Sequence, residues 1–166
     1  ILKKMISYIP ASDHKVVLSD CVEHPLLKNI DTNNMIFVDT RQDILSKLSP
    51  TIDSRKTTIL DFLHNIQDDT LGGMIIHGRT DFYSPSKRLE LINEAKRTLV
   101  PRASLVLYVR TDIDLTNKNE RIAHEITQVT IWSKDTWKHV LSSVFSKVEV
   151  VSTKQQGYAL IVVSNG

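Results

Sequence analysis

The stretch Lys15-Val16-Val17-Leu18-Ser19-Asp20-Cys21-Val22-Glu23-His24-Pro25 decides how this chain is read. Three consecutive apolar residues, two of them β-branched, form the pattern of a strand buried on both faces. A polar turn follows at once. In a doubly wound α/β domain the turn after the first strand is where a nucleotide-like ligand lies against the backbone, and glycine is the residue that permits such close approach. This turn has none, and the first glycine of the chain is Gly72.

Outward from that strand, short apolar runs alternate with helical patterns, which predicts βαβ units and a mostly parallel sheet. Upstream, Ile1, Leu2, Met5, Ile6 and Ile9 share one helical face, and Pro10 ends the helix. Downstream, Pro25–Ile30 makes at most a short helix and Met35–Asp39 a second strand. A helix over Asp43–Leu48 is stopped by Pro50. Thr57–Phe62, extended by Leu63, reads as the third strand and Gly73–His77 as the fourth.

The clearest helix starts at Ser84, a capping residue, with Pro85 in the first helical position where its missing N–H costs nothing. Leu89, Ile92, Ala95, Lys96 and Leu99 recur at helical spacing until Pro101. Ser104–Arg110 is apolar enough for a central fifth strand. Residues 111–129 are polar and irregular, with a short helix around 119–127. Ser133 opens a further helix carrying Trp137, Val140, Leu141 and Val144 on one face. Val148–Ser152 and Tyr158–Val163, joined through Gly157, form an antiparallel hairpin.

The expected architecture is therefore an α/β, doubly wound, mostly parallel seven-stranded sheet with a C-terminal antiparallel hairpin. At 166 residues it forms one domain over 1–166, either alone or as part of a larger chain. With 41% apolar and 24% charged residues the composition is that of an ordinary globular protein. A net charge of +2 gives no footing for nucleic acid or an anionic membrane. No apolar run approaches a membrane span. The lone Cys21 excludes an internal disulfide and fits a reducing, cytoplasmic setting.

The order of elements and several local stretches resemble the class I S-adenosylmethionine-dependent methyltransferases over nearly the whole chain. Leu2–Pro10 with Lys15–Leu27 resembles the leading helix, first strand and cofactor loop. Phe37-Val38-Asp39 looks like a second strand ending in an acid, and Ile59-Leu60-Asp61-Phe62 like the end of the third. Leu71–Ile76 is similar to the family's "fDxI" strand, with Gly72 in place of its Asp. Leu91–Pro101 is close to its "EAxRvLkPGG" signature, and Trp132–Phe145 to its "s.eeW..ll..aGF" segment.

The resemblance implies S-adenosylmethionine as the cofactor, if any is bound. It places Asp20 and Cys21 in the cofactor loop, Asp39 against the ribose hydroxyls, and Asp61 and Phe62 beside the adenine. His77, ending the fourth strand at the crevice, is a candidate base, with Arg79 and Tyr83 on the following loop. Each position has a plainer reading: Asp39 as an exposed helix cap, Asp61 and Phe62 as a strand terminus, His77 as a hydrogen-bonded strand end.

The departures are in the loop, where Asp20, Val22 and His24 align with the family's three glycines. A β-branched residue resists positive φ, an imidazole fills cofactor volume, and Asp20 brings a negative charge toward the methionine carboxylate. The family's Pro-Gly-Gly turn is Pro101-Arg102-Ala103. The expectation is a methyltransferase-like domain with lost or weakened cofactor binding, acting as a scaffold for a protein partner or neighbouring domain. The alternatives are an active methyltransferase with an atypical loop, and a different ligand, such as a nucleotide or sugar phosphate, in the same crevice.

Other motifs carry less. Cys21 is a nucleophile only with a base such as His24 beside it, and otherwise a small buried hydrophobe. His124-Glu125 begins like a zinc-protease motif, but residue 128 is Gln, so no metal site is expected. Trp132 and Trp137 are expected to pack around the last helix.

Overall fold

The computed structural model describes residues 1–21, 29–78, 80–112, 116–127 and 130–166. Among these, seven strands form one sheet: β1 (Val16–Ser19), β2 (Met35–Asp39), β3 (Asp53–Lys56), β4 (Leu71–His77), β5 (Leu99–Arg110), β6 (Lys147–Val151) and β7 (Tyr158–Ser164). Their spatial order is β3-β2-β1-β4-β5-β7-β6. All pairs from β3 to β5 are parallel; β7 is antiparallel to both β5 and β6. The doubly wound sheet and terminal hairpin match expectation.

The strands β1 and β2 are buried along their whole length, as are the first six residues of β4. Period-two alternation divides their side chains between two cores. Val17, Val38, Met74, Ile76, Leu105 and Leu107 point to one side, where helices α3 (Ile59–His64), α4 (Pro85–Thr98) and α6 (Lys134–Ser142) supply Leu63, Leu91, Ile92, Ala95, Trp137 and Leu141. Leu18, Phe37, Ile75 and Val106 point to the other, against Leu2 and Met5 of α1 (Leu2–Ser7) and Ile44 and Leu45 of α2 (Gln42–Leu45).

The third strand differs from the sequence expectation. Thr57–Phe62 is not a strand: Thr58 caps α3, its hydroxyl accepting from the Asp61 N–H at 3.1 Å. Ile59, Leu60, Phe62 and Leu63 are all buried, and their spacing suits one helical face as well as a strand. The true strand, Asp53–Lys56, is charged and half-exposed to exposed because it lies at the edge of the sheet, where the apolar signal vanishes and charge blunts intermolecular pairing.

Helix α4 also turns differently from expectation. Its buried face is Arg88, Leu91, Ile92, Ala95 and Thr98, while Leu89 is exposed. The cap is as read: the Ser84 hydroxyl accepts from the Lys87 N–H. Strand β5 starts earlier than expected, at Leu99, with an irregularity through Pro101 and Arg102 before Ser104 pairs with Gly73. The short helix in the polar region is α5 (Lys118–Thr127). Of the expected helix at Pro25–Ile30, residues 25–28 lie outside the described residues.

Candidate functional site

The chain runs outward from β1 through β2 to β3, then returns to the other flank of β1 as β4. That reversal is the topological switch point of an open α/β sheet, and ligands bind beyond the carboxyl ends of its strands. A cleft lies there. Ser19 and Asp20 contribute the end of β1, Thr40 the end of β2, Ile76 and Gly78 the end of β4. Thr57, Thr58 and Ile59 line the side below β3, and Thr80 and Tyr83 close the far wall. Its volume is about 140 Å³, below the roughly 300–1,000 Å³ usual for ligand pockets.

Asp20 adopts φ +59°. This left-handed turn is the conformation glycine would take, and Asp is among the few residues that tolerate it. Arg102, at the second position where a glycine was expected, likewise sits at φ +67°. Both turns have the left-handed backbone that glycine adopts most readily, yet each carries a side chain. Asp20 lines the cleft, and its carboxylate accepts from Ser19 Oγ at 3.2 Å. Val22 and His24 lie outside the described residues.

Asp39 is buried, not exposed. Its carboxylate is held by a two-pronged guanidinium contact: Arg41 Nε donates to Oδ1 at 2.9 Å and Nη2 to Oδ2 at 2.8 Å. The Arg41 backbone N–H also donates to Oδ1 at 3.0 Å, shaping the entry to α2. Arg41 Nη2 stands 4.0 Å from Asp20 Oδ1, so one guanidinium bridges acids at the ends of β1 and β2.

Cys21 is fully buried, its thiol donating to the Ser19 carbonyl at 3.2 Å. Burial pushes its pKa well above the usual range, and the charges of Asp20 and Asp39 push it further. A thiol so held is neutral at physiological pH and a poor nucleophile.

Asp61 and Phe62 belong to α3. Asp61 is exposed in its first turn and Phe62 is buried in the core, so neither lines the cleft. The residues that do so below β3 are Thr57, Thr58 and Ile59, which sequence reading missed because it ran the strand through them. The Ser/Thr cap signal at Thr58 was the available clue.

Tyr83 lines the cleft. Burial raises its phenol pKa, and hydrogen bonding to Thr58 opposes the shift. His77 instead stacks on Tyr108, centroids 5.2 Å apart, and Tyr108 stacks on Tyr158 at 5.3 Å. Its ring thus packs against a side chain of β5, and His77 is not among the residues lining the cleft. Arg79 lies outside the described residues.

The far wall is anchored by Arg88, which sequence reading passed over. Its Nε donates to the Thr80 carbonyl at 2.7 Å and its Nη2 to the carbonyls of Asp81 and Thr130. The guanidinium lies 4.9 Å from the centroid of the Trp132 ring, which meets Trp137 edge-on. Both tryptophans are packing residues here. The described residues hold no cluster of three or more potential metal ligands, and no helix among them is long and apolar enough to cross a membrane.

No family model matches the chain, and no curated protein matches it in sequence. Solved structures do. An S-adenosylmethionine-dependent methyltransferase from Archaeoglobus fulgidus superposes with a TM-score of 0.77 at 14% identity, covering 99% of this chain and 91% of that one. A putative methyltransferase of Haloferax volcanii, solved in complex with the activator Trm112, gives 0.70 at 12% over 98% and 88%. Geranyl diphosphate C-methyltransferase from Streptomyces coelicolor, with S-adenosyl-L-homocysteine bound, gives 0.69 at 10% over 99% and 79%. The chain has the class I S-adenosylmethionine-dependent methyltransferase fold.

Both carboxylate oxygens of Asp39 accept from Arg41, and Asp20 is among the residues lining the cleft.

Proposed function

We propose that this chain is a methyltransferase-fold module that has lost or greatly weakened S-adenosylmethionine binding, and that it serves as a scaffold or partner-binding domain. The observation that carries the reading is Asp20: a left-handed turn residue whose carboxylate lines the cleft where bare glycine backbone would leave room. A second carboxylate brought near it in a partly desolvated cleft is repelled, at a cost on the order of a few kcal/mol. A protein partner is in keeping with the fold, since the Haloferax relative was solved with an activator protein.

A second reading is an active methyltransferase with an atypical loop. It is favoured by the same φ of Asp20, which keeps the turn in its glycine-like shape. In that reading the acid at the end of β2, Asp39, holds the cofactor and Tyr83, which lines the cleft, orients a substrate. Isothermal titration with S-adenosylmethionine and S-adenosylhomocysteine separates the two. The scaffold reading expects no measurable heat, together with a stable complex recovered on co-purification. Binding in the low micromolar range establishes the second reading instead.

A further inference from the structure

We infer that the cavity at the edge of the sheet where β4 and β5 begin is a binding site for a small zwitterion with an apolar body, in chemical terms a free α-amino acid with a branched or aromatic side chain. The inference goes beyond the reading of the crevice and stands whether or not the crevice holds a cofactor.

The backbone makes the space. Leu71 of β4 pairs with Leu99 of β5, and the next pair is Gly73 with Ser104. Residues 100–103 thus stand opposite Gly72 alone, so β5 carries a bulge there. Among the described residues, three non-glycine residues have left-handed backbone, and two of them frame this corner: Asp69 at φ +51° before β4, and Arg102 at φ +67° in the bulge. Both are held, the Asp69 N–H donating to the Arg97 carbonyl and the Arg102 N–H to the Asn165 carbonyl, each at 3.1 Å. Conformations held in this way collect at functional sites. The cavity encloses about 210 Å³, against about 140 Å³ for the crevice. An apolar cavity of about 150 Å³ admits benzene, so this one takes a single ring or a branched chain.

Its lining names the ligand. Leu99, Ala103 and Phe145 supply apolar surface and are each buried. Asp69, Lys96 and Asn165 supply the polar groups. The Asp69 carboxylate makes no hydrogen bond or ion pair with any described residue. Lys96 Nζ donates to the Val144 carbonyl at 2.8 Å, and an ammonium has further protons to give. Asn165 Oδ1 accepts from the Ser146 N–H at 3.0 Å, which leaves its amide nitrogen as a donor. A lone cation meets Lys96 and a lone anion meets Asp69. A molecule carrying both charges beside a hydrocarbon satisfies all three polar groups and the apolar surface.

The test titrates wild-type protein with L-leucine, isocaproate (leucine without its ammonium), isoamylamine (leucine without its carboxylate) and glycine, following backbone amide shifts by NMR. Leucine is expected to bind about tenfold tighter or more than each of the others, with shifts at Asp69, Lys96 and Ala103. Asp69→Asn, a replacement that tolerates left-handed backbone, weakens leucine by about tenfold or more and does not weaken isocaproate. Lys96→Met weakens leucine and isocaproate but not isoamylamine. Leucine binding no tighter than its analogues, binding unchanged in Asp69→Asn, no shifts at all, or shifts confined to Ser19, Thr57 and Thr58 of the crevice each overturn the site. None of these outcomes bears on the titration with S-adenosylmethionine, so the two readings fail separately.

Discussion

At the scale of single residues, the crevice is decided by which polar atoms are already engaged. Asp39 and Asp20 are acids at strand ends, and sequence alone makes each a candidate ligand-binding group. What distinguishes them is Arg41, a neighbour in sequence whose fork geometry is invisible until the β2–α2 corner is folded. Cys21 illustrates the same point through burial. It stands in the loop and was a conceivable nucleophile, yet its thiol is enclosed and its pKa raised, first by desolvation and then by two carboxylates. Alkylation by iodoacetamide at pH 7.5 is therefore expected to be at least about 100-fold slower in native than in urea-unfolded protein, since both thiolate fraction and access are reduced. A native rate within a few-fold of the unfolded one contradicts this account.

Among elements, the central strands announced themselves and the edge did not. β1, β2, β4 and the body of β5 are buried on both faces, so their apolar runs are dictated by position and can be read directly. β3 is an edge strand of Asp, Ser, Arg and Lys, and its apolar neighbours belong to a helix. Sequence pattern cannot separate a short apolar run in a strand from one in a buried helix. Because the strand was misplaced, the cleft residues Thr57, Thr58 and Ile59 were missed with it. The caps of α4 and α6, by contrast, sit at the serines expected, Ser84 and Ser133.

The start of β4 explains a feature of composition. A Cβ at Gly72 would stand 2.9 Å from the His14 carbonyl oxygen, and one at Gly73 would stand 2.6 Å from Ile9 Cγ2. The two glycines let the chain leaving α1 pass close over the sheet. Gly72→Ala meets backbone held in place by the Asn34 side chain, which donates to the His14 carbonyl at 2.6 Å. Overpacking of this kind costs about 1–3 kcal/mol. The urea midpoint should fall accordingly with an unchanged slope, and an unshifted midpoint refutes the close-approach explanation.

For the whole molecule, Arg97 ties α4 to the end of α3 and to the turn that follows it. From α4 it donates to the carbonyls of Leu63 and Ile66 at 2.8 Å each, to Glu94 and to Asp68. Arg97 holds the Glu94 carboxyl below its ordinary range through their hydrogen bond. A lowered carboxylate pKa contributes stability above the unfolded value, and that contribution is lost as pH falls through the folded one. Arg97→Met should cost on the order of 1–3 kcal/mol at pH 7. The deficit should shrink below about pH 4 but not vanish, because the bonds to the two carbonyls do not titrate. A deficit constant from pH 7 to pH 3 in denaturation experiments contradicts the assignment.

By itself the sequence determined the class of architecture, the order of elements, the terminal hairpin and the absence of glycine after the first strand. These follow from local quantities: apolar periodicity, caps, breakers and the absence of a residue type. Tertiary structure alone decided where the edge strand lies, that Asp20 and Arg102 take left-handed backbone, and that Arg41 bonds both carboxylate oxygens of Asp39. Those depend on which groups distant or adjacent in sequence meet in space, and on how much water is left between them.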